Sequence, residues 1–200
     1  MEESIAAGTL SEFCEKVGGA EPVPAGVSIS AVSASLALAL LAKVLDITGR
    51  RKGFSGDRER LEILIAESRA ESGRLMTLAD EDVRAFHAYL ECLRGGEAEA
   101  IDEAMRKCIE VPMSAARAAV RGLDTCAEAV GLIHGLTAAD LGISAQMLFG
   151  GVRAMLISVD FNARAMNASA ISNAIISERR ELEFRASHRA EAITGSLATL

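Results

Sequence analysis

Tryptophan is absent from this 200-residue chain, tyrosine occurs once, and aromatic residues make up only 4% of it. With few large rings, the core must be built from aliphatic and small side chains. Alanine and leucine dominate, a composition that favours helix over sheet. Helices packed through Ala, Gly and Ser approach closely and leave little room for large cavities. The four cysteines, Cys14, Cys92, Cys108 and Cys126, show no C-x-x-C spacing. Neither a zinc site nor a disulfide framework follows from them; buried reduced thiols are the plain reading, and no metal is expected. Positive charge is also short. The net charge is -7, the pI is about 5.1 and no basic face stands out, which argues against nucleic acid as a partner. The N-terminus, M-E-E-S-I, lacks the basic n-region and apolar core of a secretion signal, so the expected compartment is the cytoplasm. The length suits one domain, taken as residues 1–200.

Long apolar stretches are what the chain does have. His134 to Asn162 reads as one long helix with almost no charge, rich in Gly142, Ala145, Gly150, Gly151, Ala154 and Ser158, and therefore buried on most sides. Val27 to Leu45 has the length of a membrane span, but Ser28, Ser30, Ser33 and Ser35 crowd one half and Lys43 interrupts the other. It is read as a buried helix of a soluble protein, with no membrane partner.

In chain order, Ile5, Leu10, Phe13 and Val17 predict a short amphipathic helix ended by Gly18-Gly19. The loop over residues 19–28 carries Pro22 and Pro24. Its entry into the helix over 28–48 is either a plain turn or a set of free backbone N–H groups able to hold an anion or a polar ring edge. Gly49 is the expected C-cap. Arg50, Arg51 and Lys52 form the tight basic cluster; they complement the helix dipole or capture a carboxylate or phosphate. Asp57 to Leu93 predicts a helix of roughly 55 Å at 1.5 Å per residue.

Asp82 breaks the apolar stripe of that helix, one turn from Ala79 and from Phe86, while Asp80 and Glu81 are expected to point away. An acid on an apolar face is normally paired or used. Partial burial would raise its pKa, as suits a general acid or base; the alternative is a carboxylate at the stripe's edge reaching water. His87 is read as a surface residue. Arg94-Gly95-Gly96 breaks the helix, Glu97 to Ile109 resumes it, and Pro112 is expected to start a separate helix reaching about Gly131. Thr137-Ala138-Ala139-Asp140 matches a capping box, placing Asp140 in a first turn. Asn167-Ala168-Ser169 is a formal glycosylation pattern, and Ser172 to Leu197 predicts a last helix with a salt-bridged surface. The fold expected is all-α, a single-domain bundle of long antiparallel helices.

The order P-V-P-A-G-V-S-I-S-A, T-G-R-R-K, D-E-D-V-R-A-F, E-V-P-M, T-A-A-D-L-G-I-S-A, then a late Arg and Asn, resembles the formiminotetrahydrofolate cyclodeaminase and methenyltetrahydrofolate cyclohydrolase family from about Leu10 to Asn167. The resemblance implies a helical homodimer with sites near its interface. It also implies an enzyme acting on the one-carbon bridge between N5 and N10 of tetrahydrofolate, which is the substrate; no other cofactor is implied. It implies acid–base and electrostatic roles for Asp82 and Asp140, and substrate contacts from Pro24, Gly26, Ser28, Ser158 and Asn162. Arg50, Arg51 and Lys52 would face the glutamate tail, and Arg153 matches the late arginine.

The departures fall where the family binds substrate. Its P-T-P-G-G-G-S loop is here Pro22-Val23-Pro24-Ala25-Gly26-Val27-Ser28, and the Asn of its A-L-N-V segment is Ser158. Two other readings follow: a divergent member acting on another amidine-like or pterin-like substrate, and a non-catalytic folate-binding or dimerisation module.

Overall fold

The computed structural model describes residues 4–166 and 173–198, so the Asn167-Ala168-Ser169 pattern and Ser172 lie outside the described residues. Regular structure among the described residues is wholly helical: a 3-10 turn (Ile5–Ala7), then α1 (Leu10–Val17), α2 (Gly26–Arg50), α3 (Arg58–Leu93), α4 (Ala98–Ala129), α5 (Gly135–Ala165) and α6 (Asn173–Leu197). Local chemistry sets several ends. Thr9 and Glu12 close a capping box on α1, and the Asp57 side chain accepts the Arg60 N–H at the start of α3. The basic turn after α2 closes at Gly53, whose φ of 85° suits glycine.

Cross-helix contacts fix the directions. Ser28 meets Asp82, Ser35 meets Ser72 and Gly49 abuts Leu61, so α2 and α3 are antiparallel. Cys108 reaches Ala85 while Arg60 reaches Glu128, making α3 and α4 antiparallel. Asn162 bonds Cys108 and Gly122 abuts Leu148, so α4 and α5 are antiparallel too. The result is an up-down-up-down bundle of α2 to α5. Its core is aliphatic and small, running through Leu38, Leu41, Leu75, Leu123, Leu148 and Met155. α6 lies on α4 and α5, anchored by Leu182, Ala186 and Ile193. Ion pairs join Arg117 to Glu178, Arg179 to Asp160, and Asp124 to both Arg185 and Arg189.

Three local expectations are corrected. Gly49 is not a cap: it lies inside α2, buried where α3 crosses, and a Cβ there would stand 2.5 Å from Leu61 Cδ2. Asp140 neither caps α5 nor occupies its first turn, because the helix begins at Gly135 and has no side-chain cap. Pro112 does not start a helix but sits inside continuous α4. Proline at that position removes the N–H that would bond the carbonyl of Cys108, four residues back. Asn162 Nδ2 donates to that carbonyl instead, at 2.8 Å. A tertiary contact thus replaces the lost helical bond, and the helix continues.

Helices α2 and α5 are each long and apolar enough to cross a membrane. In α2, 67% of the window is buried against the bundle, as in a core helix, but only 44% of the α5 window is, so α5 is not buried on most sides as its composition predicts.

Candidate active site

At one end of the bundle, α2, α3, α4 and α5 bring Ser28, Asp82, Cys108, Ser158 and Asn162 together. Ser28 sits in the first turn of α2, fully buried, and its hydroxyl donates to Asp82 Oδ2 at 2.7 Å. The carbonyl of Ala79 lies 3.4 Å from the same hydroxyl. Ser28 therefore has two acceptors for one proton. With Asp82 ionised it donates to the carboxylate. With Asp82 protonated it can turn to Ala79 and accept from Asp82. Burial raises the Asp82 pKa above its ordinary value, and the Ser28 hydrogen bond pulls the other way. A half-buried carboxyl with a two-way hydroxyl partner can hold or release a proton.

The thiol of Cys108 completes the surroundings of Asp82. Burial first, and the Asp82 charge second, push it up to about 11. It is thus a neutral thiol at ordinary pH rather than a nucleophile. Cys126 is likewise buried, but Cys14 is exposed and Cys92 half-buried, so the expectation of buried thiols holds for two of the four. Nothing in the sequence pairs Cys108 with Asp82; the signal that would have placed it is the proline four residues later. Asn162 spends its amide on the Cys108 carbonyl, with Ser158 Oγ a further 3.5 Å neighbour. It ties the end of α5 to α4 beside the carboxylate.

Pro24 and Gly26 lead into this end. Val23 is buried, Pro24 is half-buried and the Val23–Pro24 peptide is cis. Among the described residues only Gly53 has a positive φ. Ala25 and Val27 therefore stand where the family pattern has glycine without backbone strain. No side chain caps α2, so its first N–H groups face out of the helix end.

The remaining sequence-predicted residues lie elsewhere. Arg50 is 22 residues beyond Ser28 on α2, roughly 33 Å along its axis. It pairs with Asp46 at 2.8 Å, and Arg51 and Lys52 are exposed beside it. Asp140 is 22 residues before Asn162 on antiparallel α5, so it too lies at the far end of the bundle. Arg153 is exposed and lies over the Phe149 ring rather than at the cluster. Asp80 does not merely point to solvent: its carboxylate accepts from Ser4 Oγ at 2.6 Å and from the Ile5 N–H at 2.8 Å, clamping the N-terminal segment onto α3. No cluster of His, Cys, Asp or Glu that could hold a metal occurs among the described residues.

Fold and candidate site together define an all-α antiparallel bundle with a partly buried carboxyl where four helices meet. The family model described as formiminotransferase-cyclodeaminase matches residues 9–181, and the chain belongs to that family. It is 28% identical over 173 residues to formimidoyltransferase-cyclodeaminase of Sus scrofa and 29% identical over 174 residues to that of Mus musculus. These matches cover 82% of this chain but 32% of each relative, so the chain spans about a third of their length. A methenyltetrahydrofolate cyclohydrolase of Methylorubrum extorquens is 23% identical over 180 residues, covering 85% of this chain and 86% of that protein. The crystal structure of a formiminotetrahydrofolate cyclodeaminase from Thermotoga maritima shares the fold, with a TM-score of 0.93, 19% identity and 98% of each chain covered.

Proposed function

We propose that this chain acts as a cyclodeaminase or cyclohydrolase on the one-carbon bridge of tetrahydrofolate. The observation that carries this reading is the Ser28–Asp82 pair, a carboxyl raised by burial with a reversible hydroxyl partner. Folate is substrate, and no further cofactor is called for. In ring opening, water adds to the methenyl carbon and gives a proton to a base. The carbon–N5 bond then breaks as N5 is protonated. In deamination, N10 attacks the formimino carbon and loses its proton, while the departing nitrogen takes one and leaves as ammonia. Each reaction needs a group that exchanges a proton beside a cationic carbon, and Asp82 supplies it while its charge favours the cation.

The reading extends to a homodimer. The outer faces of neighbouring α2 and α5 carry exposed apolar side chains: Leu36 at 55% on α2, and Ile157 at 57% and Phe161 at 65% on α5, with exposed Ile143 and Met147 earlier along α5. Gly150 and exposed Ala154 lie on the same face of α5, and nothing lies within 4 Å of a Cβ placed at Gly150. Apolar surface of this kind is normally covered by another protein. A two-fold dimer that sets α5 antiparallel to its copy about Gly150 carries Asp140 of one protomer to the level of Asn162 in the other. Each site then combines Asp82 from one protomer with Asp140 from its partner.

The first test follows methenyl absorbance. Loss from methenyltetrahydrofolate identifies hydrolysis; gain from formiminotetrahydrofolate with release of ammonia identifies deamination. Ligand binding with no turnover would leave only a binding module. The second test mixes Asp82→Asn with Asp140→Asn, each expected to be nearly inactive. After subunit exchange, half the dimers are mixed and each has one intact site, restoring roughly a quarter of wild-type activity. No recovery would sink the shared site.

A further inference from the structure

We propose that the cavity between the N-terminal segment and α3 binds the p-aminobenzoyl-glutamate half of the substrate, with Lys16 and Arg84 taking its carboxylates. This rests on the folate reading above. The cavity measures about 500 Å³, a size that suits part of a small ligand. One wall is a stripe of α3 at helical spacing, Asp80, Val83, Arg84 and His87; the other is the segment that Asp80 clamps through Ser4 and Ile5.

The lining matches an aromatic ring that ends in carboxylates. Ile5, Val23, Pro24 and Val83 give apolar contact for a ring. Lys16 on α1 and Arg84 on α3 reach the same space from opposite walls, and neither belongs to an ion pair among the described residues. Asp80 and Glu21 bring negative charge to the same lining, and Glu12 acts on Lys16 along α1; the Asp80 oxygens are already bound by the Ser4 hydroxyl and the Ile5 N–H. Arginine takes a carboxylate through two parallel N–H groups and lysine through a point charge, so the pair suits the two carboxylates of a glutamate.

Position supports the same ligand. Arg84 is two residues from Asp82, buried Val83 stands between them, and Pro24 is four residues before Ser28. A pterin held at Ser28 and Asp82 can therefore lay its tail past Pro24 into the cavity. Within one protomer the turn at Arg50 to Lys52 lies roughly 33 Å from Ser28 along α2, beyond what a benzoyl ring and one glutamate span. The same turn of the other protomer, which the proposed dimer brings toward this end with its Asp140, is the competing anchor that the triple variant below tests.

The experiment titrates p-aminobenzoyl-glutamate into the whole protein and follows binding by NMR. The Lys16→Ala, Arg84→Ala double variant should bind roughly tenfold more weakly than wild type. The Lys16→Arg, Arg84→Lys variant, which keeps both charges, should recover most of that loss. Replacing Arg50, Arg51 and Lys52 together by Ala should leave the affinity essentially unchanged. Absence of binding by wild type, an unaltered affinity in the double variant, or loss in the triple variant would overturn the assignment. The fragment carries no one-carbon group, so the result is independent of turnover. Binding through Lys16 and Arg84 in a protein inert toward methenyl- and formiminotetrahydrofolate supports the cavity and defeats the proposed activity. Turnover with no fragment binding does the reverse.

Discussion

Removing the Asn162 amide isolates the device that holds the site end of the bundle together. Pro112 offers no N–H to the carbonyl of Cys108, and Asn162 Nδ2 fills the place at 2.8 Å. Cys108 is buried. Asn162→Ala should therefore leave a buried carbonyl without a donor, at a cost of about 1–3 kcal/mol. In a chain of this size each kcal/mol lowers the Tm by about 2–4 °C, so the variant should melt roughly 2–12 °C lower. Pro112→Ala supplies the argument with its control. Alanine in place of the proline restores the helical N–H, and in that background Asn162→Ala should cost only about 0.5 kcal/mol or less. Urea unfolding of wild type, both single variants and the double variant gives the four corners of the cycle. Equal costs of Asn162→Ala in the two backgrounds would mean that the carbonyl owes nothing to Asn162.

Burial raises the Asp82 pKa, so the stability this group contributes is complete below its ordinary value of 3.8 and is lost as pH rises through the folded value. Asp82→Asn should accordingly melt above wild type near neutral pH, with the gap closing in acid, while turnover falls by roughly 10²–10⁴-fold; thermal melts across pH and the methenyl assay check both halves. Gly49→Ala drives a Cβ to 2.5 Å from Leu61 Cδ2 and should cost about 1–3 kcal/mol in urea unfolding. Ile157→Arg places a charge on the exposed apolar face of α5 and should give a folded monomer by sedimentation, its helicity retained by circular dichroism.

Much of the fold is legible along the chain because helix formation depends on near neighbours. The 3.6-residue spacing of apolar positions outlines α3, and the small-residue runs outline α2 and α5, within a few residues of their ends. Asp82 is legible for the same reason: an acid one turn from Ala79 and Phe86 must meet whatever covers that stripe. The absence of aromatic bulk likewise foretells helices packed closely through alanine and glycine.

What the chain leaves open depends on residues far apart in sequence. Pro112 reads locally as a helix start, and only Asn162, arriving from α5, makes a continuous helix possible. Gly49 reads as a cap, and only the crossing of α3 gives it a different role. Cys108 and Ser28 gain meaning from a carboxylate on another helix, and Asp80 from the N-terminal turn it holds. The antiparallel order of the bundle separates Asp140 and the basic turn from Asp82 by a helix length. A local pattern fixes which face of each helix is apolar. Which faces meet, and at what height, is decided by packing four such helices together, and the site is set by those heights.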